Sequence, residues 1–158
     1  DWNGDDFPDH FARVGPGKLA LLSGAPQGVQ VVGVSYSARL GLSPRIGITG
    51  SARPGATTKF HLSRVAPEQD GTLVIGLPRF RDGHMLGGRR AGLWRTKVYH
   101  AQASTVRPKE GVATIELTVP NDVALTGTHF TATWLVLDTD GQLLARTRSL
   151  DCEVLPAL

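Results

Sequence analysis

The sequence holds one cysteine, Cys152, so an internal disulfide framework is excluded and hydrophobic packing must stabilise the fold. Aromatic residues make up only 6% of the 158 residues, which leaves few side chains on which bases or sugars could stack. No apolar run approaches the roughly 20 residues that a membrane-spanning helix needs, so we expect no membrane span. No long window free of glycine and proline repeats its apolar residues every 3.6 positions, so we expect short elements rather than helices.

Three segments alternate apolar and polar residues with a period of two, as a half-buried strand does. They are Val32–Leu40, Ala113–Val119 and Phe130–Leu137. In the third segment Leu135 and Leu137 make both faces apolar, which predicts a central strand. Weaker patterns predict strands at Lys18–Leu22, Arg45–Thr49, Thr58–Val65, Thr72–Leu77, Trp94–Ala103 and Gln142–Ser149.

Turn residues separate these segments. Asp138–Gly141 is typical of a tight hairpin, and Pro67–Gly71 and Pro108–Gly111 are typical of a type I turn closed by a left-handed glycine. Roughly eight to ten strands at this spacing predict an all-β fold, an antiparallel two-sheet β-sandwich of the immunoglobulin-like or jelly-roll type. The alternative is a β-barrel.

The first 17 residues show no strand alternation and combine acids with aromatic side chains. We therefore divide the chain into an N-terminal acidic and aromatic arm, 1–17, and a single sandwich domain, 18–158. Trp2, Phe7 and Phe11 are the residues through which the arm would dock.

The stretch from Pro78 to Gly92 also lacks alternation, and loops of this length in a compact domain are commonly functional. It begins the most basic part of a chain whose net charge is +3 and whose pI is about 9.4. The hypothesis is a basic binding loop whose arginines meet carboxylates, phosphates or sugars. Its candidate binding residues are Arg79, Phe80, Arg81, Arg89, Arg90, Trp94 and Arg95. Nucleic acid is disfavoured as the partner because no recognised binding motif accompanies the charge.

Signals for catalysis or metal binding are weak. Cys152 lies between Asp151 and Glu153, which raise the pKa of a thiol, so it is predicted to be a small core residue and not a nucleophile. The five histidines follow no zinc-site spacing, and Glu116 is the chief acid within a predicted strand. We expect no catalytic residues, no metal and no cofactor.

These features favour a non-enzymatic structural or interaction module, a domain of a surface or virion-type assembly. It would engage a protein partner, or a second copy, through the arm and the basic loop. One alternative is a carbohydrate-binding sandwich that uses Trp2, Trp94 or Tyr99 as a stacking platform. Another is an enzyme whose site is assembled across strands.

Overall fold

A computed structural model describes residues 10–15, 18–22, 26–37, 43–76, 97–107 and 110–158. These residues form twelve β-strands and one turn of 3-10 helix. The strands are β1 (His10–Gly15), β2 (Lys18–Leu22), β3 (Val29–Val32), β4 (Tyr36–Ser37), β5 (Arg45–Thr49), β6 (Thr57–Val65), β7 (Asp70–Gly76), β8 (Lys97–Gln102), β9 (Ser104–Arg107), β10 (Glu110–Thr118), β11 (His129–Leu137) and β12 (Leu143–Glu153). The 3-10 turn spans Val123–Leu125.

Ten of these strands form two antiparallel sheets that do not close into a barrel. The four-stranded sheet has the order β5-β6-β10-β9. The six-stranded sheet has the order β3-β12-β11-β7-β8, with β4 also paired to β12. The predicted two-sheet sandwich is therefore confirmed, and the barrel alternative is excluded.

Strands β1 and β2 pair with each other as an antiparallel hairpin. We expected no strand within residues 1–17, and β1 shows that expectation to be wrong for His10–Gly15. Pairing with the apolar strand β2 satisfies the backbone hydrogen-bonding groups of β1. These hydrogen bonds do not require apolar and polar side chains to alternate along β1. The hairpin also crosses the proposed boundary between residues 17 and 18.

The central strand of the six-stranded sheet is β11, as its two apolar faces predicted. Its inward residues Phe130, Ala132, Trp134 and Val136 are all buried, whereas Leu135 and Leu137 lie on the outer face and are partly buried. Along the four-stranded sheet, Phe60 and Leu62 of β6 and Ala113 of β10 point inward in the same alternating way. One hydrophobic core thus fills the space between the sheets.

The segment Val32–Leu40 is not the continuous strand that its alternation predicted. Val32 pairs with Ser149 and Tyr36 pairs with Arg146, so this edge carries one more residue than β12 between the two pairs. Gly33 has a φ of 76°, which glycine adopts readily, and the chain bends there. As a result Val34 and Tyr36 are exposed rather than buried on one face, and residues 38–42 lie outside the described residues.

A second irregularity lies in the middle of the six-stranded sheet, where β12 has one residue more than β11. Thr133 pairs with Ser149 and Leu135 pairs with Arg146, which leaves Trp134 without a partner in the β12 register. The backbone N–H of Trp134 instead donates to the hydroxyl of the fully buried Thr147, with an N–O distance of 3.0 Å. The Thr147 side chain thereby replaces a lost ladder hydrogen bond.

The hairpin predicted at Asp138–Gly141 is confirmed. The N–H groups of Asp140 and Gln142 both donate to the Asp138 carboxylate, and Gly141 has a φ of 76°. The prediction for Pro67–Gly71 is wrong in its detail. The turn is closed by a hydrogen bond from the N–H of Gln69 to the carbonyl of Ala66, and Glu68 carries the positive φ of 62°.

The two glycines that were expected to close the turns at Pro67–Gly71 and Pro108–Gly111 do not do so. Gly71 is a buried residue of β7 and Gly111 is a buried residue of β10, and the φ of neither lies in the left-handed region. Both strands lack a side chain at these positions because neighbouring atoms occupy the space. A Cβ on Gly111, for example, would lie 2.9 Å from the carbonyl oxygen of Ala66.

Candidate functional site

A cleft of about 180 Å³ opens between the two sheets at one end of the sandwich. Strands β6 and β10 supply its wall on one side, and β7, β8 and β11 supply the other. Its apolar lining consists of Phe60, Ile75, Leu117, Val119, Leu125 and Phe130. The short chain after β10 contributes Val119, Pro120, Asp122 and Leu125 to the lining.

That short chain is held by a small capping motif. The backbone N–H of Ala124 donates to Oδ1 of Asp122 at 2.9 Å, which starts the 3-10 turn and places Leu125 in the core. Behind the cleft the rings of Phe60 and Phe130 meet edge to face, with centroids 6.4 Å apart. The apolar floor is therefore built from residues whose positions are fixed by strand pairing, ring contact and capping.

The polar side chains that line this cleft are Lys97 and Tyr99 of β8, together with Thr58, Thr118 and Asp122. Lys97 and Tyr99 are two positions apart in that strand, so both side chains point to the same face and both line the cleft. Within the described residues, the Lys97 ammonium forms no ion pair and the Tyr99 hydroxyl forms no hydrogen bond. Lys97 is exposed, so its charge lies at the mouth rather than in the apolar interior. A cation at the mouth of an apolar cleft, with no partner among the described residues, suits a ligand with one negative end.

The outer face of the four-stranded sheet carries a row of polar side chains centred on His61. The hydroxyl of Thr49 lies 2.8 Å from Nε2 of His61, and the hydroxyl of Thr114 lies 2.9 Å from Nδ1. Burial and the nearby Lys59 ammonium lower the pKa of His61. Both ring nitrogens are occupied by cross-strand hydrogen bonds, so the arrangement supports sheet pairing and leaves no nitrogen to act on a substrate.

Glu116, the acid singled out from the sequence, lies on the same outer face. Its Oε1 is 2.5 Å from Nζ of Lys59, and both side chains are about half exposed. An exposed ion pair of this kind contributes little to stability and holds the carboxylate away from the cleft. Glu116 is therefore a cross-strand partner of Lys59.

His129 and His100 also have structural partners. Nδ1 of His129 lies 3.1 Å from Oδ1 of Asp151 across β11 and β12, and Nδ1 of His100 lies 3.0 Å from the hydroxyl of Thr72. His129 lies on the outer face of its sheet, one position before the inward-facing Phe130. Over the described ranges, no group of three histidine, cysteine or acidic side chains is arranged to hold a metal ion.

A second, more open depression of about 440 Å³ lies beside the Asp138–Gly141 hairpin and contains Asp70, His100 and Asp138. Asp138 Oδ1 already accepts the two backbone N–H groups of the turn, and His100 already contacts Thr72. These polar groups are used to form the hairpin and to join β7 to β8. The depression therefore follows from the turn and has no separate constellation of reactive groups.

Cys152 is fully buried in β12, as the sequence predicted, with Leu150 and Val154 buried beside it. Burial and the Asp151 carboxylate raise the pKa of its thiol well above the usual range. The neutral thiol is a poor nucleophile. Cys152 is thus a small core residue.

The residues predicted to bind a partner fall largely outside the described part of the chain. Arg79, Phe80, Arg81, Arg89, Arg90, Trp94 and Arg95 lie outside it, as do Trp2 and Phe7. Phe11 belongs to β1. Of the three aromatics considered for sugar stacking, Tyr99 lines the cleft and Trp2 and Trp94 lie outside the described residues.

The cleft itself was not predicted from the sequence. Lys97 and Tyr99 belong to a segment that was predicted to be a strand, and their alternate positions are a signal that they share a face. What the sequence lacked was any indication that this face meets Leu117 and Leu125 from the other side of the sandwich.

Comparison with protein-family models, curated proteins and solved structures finds no match to this chain. Within its described residues, the chain forms no helix with the length and hydropathy that crossing a membrane would require.

Proposed function

We propose that this chain is a non-enzymatic interaction module, a domain of a surface or virion-type assembly. It engages a protein partner at the end of the sandwich where the cleft opens. The observation that carries the proposal is the cleft itself, an apolar opening with a cation at its mouth. Binding proteins built from two packed sheets commonly recognise their partners through the loops at the ends of the strands.

The basic segment is attached at this same end. Residues 77–96 connect β7 to β8, and the last described pair of those strands is Ile75 with Lys97, both of which line the cleft. The described residues on either side of the segment therefore lie beside the opening. The arginines predicted to bind a partner, Arg79, Arg81, Arg89, Arg90 and Arg95, all belong to it.

The partner that best suits this end is negatively charged, and a second copy of the chain offers one such segment. Asp1, Asp5, Asp6 and Asp9 surround Trp2 and Phe7, so the arm combines acids with apolar anchors. Opposite charges on arm and loop would steer two copies together and make the association sensitive to salt.

Sedimentation velocity at low and high salt tests this proposal. We expect the intact chain to self-associate at low salt and to dissociate as salt is raised. Arg90→Glu should weaken the association at low salt, because it places a negative charge in the basic segment. Arg146→Glu is the matched control, since it makes the same charge change at an exposed position in β12. A chain that stays monomeric at both salt concentrations, or an equal effect of the two variants, contradicts self-association through these charges.

A further inference from the structure

The cleft at the end of the sandwich has the composition of a small-molecule site. Its volume is about 180 Å³, while a dry cavity of about 150 Å³ is known to hold a molecule the size of benzene. Binding sites of this kind pair an apolar lining with a few polar groups that fix the orientation of the ligand. The cleft is therefore large enough for a ring or for a chain of about six carbons.

The apolar part of the cleft comes from both sheets. Ile75 and Phe130 belong to the six-stranded sheet, Phe60 and Leu117 belong to the four-stranded sheet, and Leu125 follows from the 3-10 turn. A ligand in contact with all of them would remove its apolar surface from water, at roughly 25 cal/mol per Å² buried. The stem of the ligand is thus recognised by shape and apolar contact alone.

The polar end is recognised by Lys97 and Tyr99. The ammonium at the mouth has no ion pair among the described residues, and the phenol on the same strand face has no hydrogen bond. A carboxylate accepts from both groups, whereas an ammonium or an apolar end accepts from neither.

Asp122 also lines the cleft and carries the opposite charge. Its Oδ1 already accepts the N–H of Ala124, so this carboxylate is turned towards its own 3-10 turn. That single bond leaves Oδ2 able to accept from an amine. The comparison of hexanoate with hexylamine therefore decides between Lys97 and Asp122 as the charged group that the ligand meets.

We propose that the cleft binds small amphipathic carboxylates, with the apolar body between the sheets and the carboxylate at Lys97 and Tyr99. The site lies in the same cleft that carries the proposed function, but ligand binding requires neither the arm nor the basic segment, so the two proposals can fail separately. Hexanoate and phenylacetate represent the aliphatic and aromatic forms of the same chemistry.

Two-dimensional NMR of the intact chain, titrated with each probe, tests the proposal. We expect hexanoate and phenylacetate to shift the signals of Ile75, Leu117, Leu125 and Tyr99 in a saturable manner. Hexanol should bind more weakly because it keeps the apolar contacts and loses the charge. Hexylamine should bind more weakly than either acid.

Three variants locate the two halves of the site. Lys97→Gln should weaken hexanoate binding about fivefold, as expected for one exposed ion pair, and should leave hexanol binding unchanged. Lys59→Gln is the matched control, because it removes an exposed lysine from the outer face of the other sheet and should change neither affinity. Leu117→Trp should block both ligands by filling the cleft.

The site would be overturned if neither acid gave saturable shifts, or if the shifts fell on residues away from the cleft. Tighter binding of hexylamine than of hexanoate would also overturn it, as would an equal loss of hexanoate affinity with Lys97→Gln and Lys59→Gln. Because Lys97 is exposed, its replacement should not unfold the chain, and an unchanged spectrum of the unliganded variant verifies this. A chain that stays monomeric at low and high salt but still binds hexanoate would contradict the proposed function alone.

Discussion

At the scale of the residue, Gly71 shows how closely the two sheets approach each other. A Cβ at this position would lie 2.7 Å from Cδ2 of Leu62 and 3.1 Å from Cζ3 of Trp134. Leu62 and Trp134 are fully buried and cannot move aside without disturbing the core. We expect Gly71→Ala to lower the free energy of unfolding by about 2 kcal/mol through overpacking, measured by urea unfolding followed by circular dichroism.

Gly47→Ala is the matched control for this substitution. Gly47 also lies in a strand, but its Cβ would be 3.7 Å from Cβ of His61, which is ordinary contact. Alanine there should leave the free energy of unfolding unchanged or raise it by about 0.5 kcal/mol, because it reduces the freedom of the unfolded chain. Equal effects of the two substitutions would show that Gly71 is not limited by space.

Trp134 presents a different feature at the same scale. Its backbone N–H is satisfied by Thr147, but its indole Nε1 is buried without a hydrogen-bond partner among the described residues. A buried donor without a partner costs free energy, and the large apolar area of the ring outweighs that cost. Trp134 therefore contributes to the core by its volume, with Gly71 leaving the space that the ring needs.

At the scale of the element, the four-stranded sheet contains a titratable group in its outer face. His61 of β6 contacts Thr49 of β5 and Thr114 of β10, with Lys59 and Glu116 beside it. Burial first and the Lys59 charge second lower the pKa of His61 in the folded chain, while the unfolded chain titrates near 6.5. Below about pH 6.5 the unfolded state therefore binds more protons than the folded state. As the pH is lowered from there, the free energy of unfolding decreases until the pH is below the folded-state pKa.

An NMR titration of the His61 ring should therefore give a midpoint below 6.5. Urea unfolding at about pH 7.5 and pH 5 should show a smaller loss of stability for His61→Gln than for the unaltered chain. The comparison between the two proteins isolates this residue, because the carboxylates titrate in both. A His61 midpoint at or above 6.5, or identical losses, would contradict the role assigned to burial.

The positions of strands could be predicted from the sequence more closely than whether each strand is continuous. The alternation in Ala113–Val119 and Phe130–Leu137 corresponds to β10 and β11, because a period of two requires only that one face be buried. The same alternation in Val32–Leu40 did not produce one strand. Gly33 bends this edge, and the bulge depends on the register of β12, which no local pattern contains.

The turns also divide into those set by their own residues and those set by residues distant in the sequence. Asp138–Gly141 was predictable because its own side chain and its own glycine close it. Gly71 was assigned to a turn because glycine commonly ends one, yet its role is set by Leu62 and Trp134, which lie far away in the sequence. The cleft was missed for the same reason: Tyr99 and Leu125 meet only through the packing of two sheets.

At the scale of the whole molecule, β12 joins the parts of the six-stranded sheet. It pairs with β11 on one side and with β3 and β4 on the other, and its residues Leu150 and Cys152 enter the core shared by both sheets. These pairings connect distant parts of the sequence, so the six-stranded sheet cannot form completely without the last strand. Such an arrangement favours a single cooperative unfolding transition.

Cys152 reports on that transition, because it is the one cysteine of the chain and is fully buried. We expect a thiol reagent to label it negligibly under native conditions, since the pKa of the thiol is raised and the sulfur is inaccessible. With increasing urea, the labelling midpoint should coincide with the midpoint from circular dichroism, because β12 is released only when the sandwich unfolds. Thr139→Cys in a Cys152→Ser chain is the control, since Thr139 is exposed in the hairpin and should be labelled without urea. If Cys152 is labelled at lower urea than the loss of strand structure, β12 detaches before the rest and the transition is not cooperative.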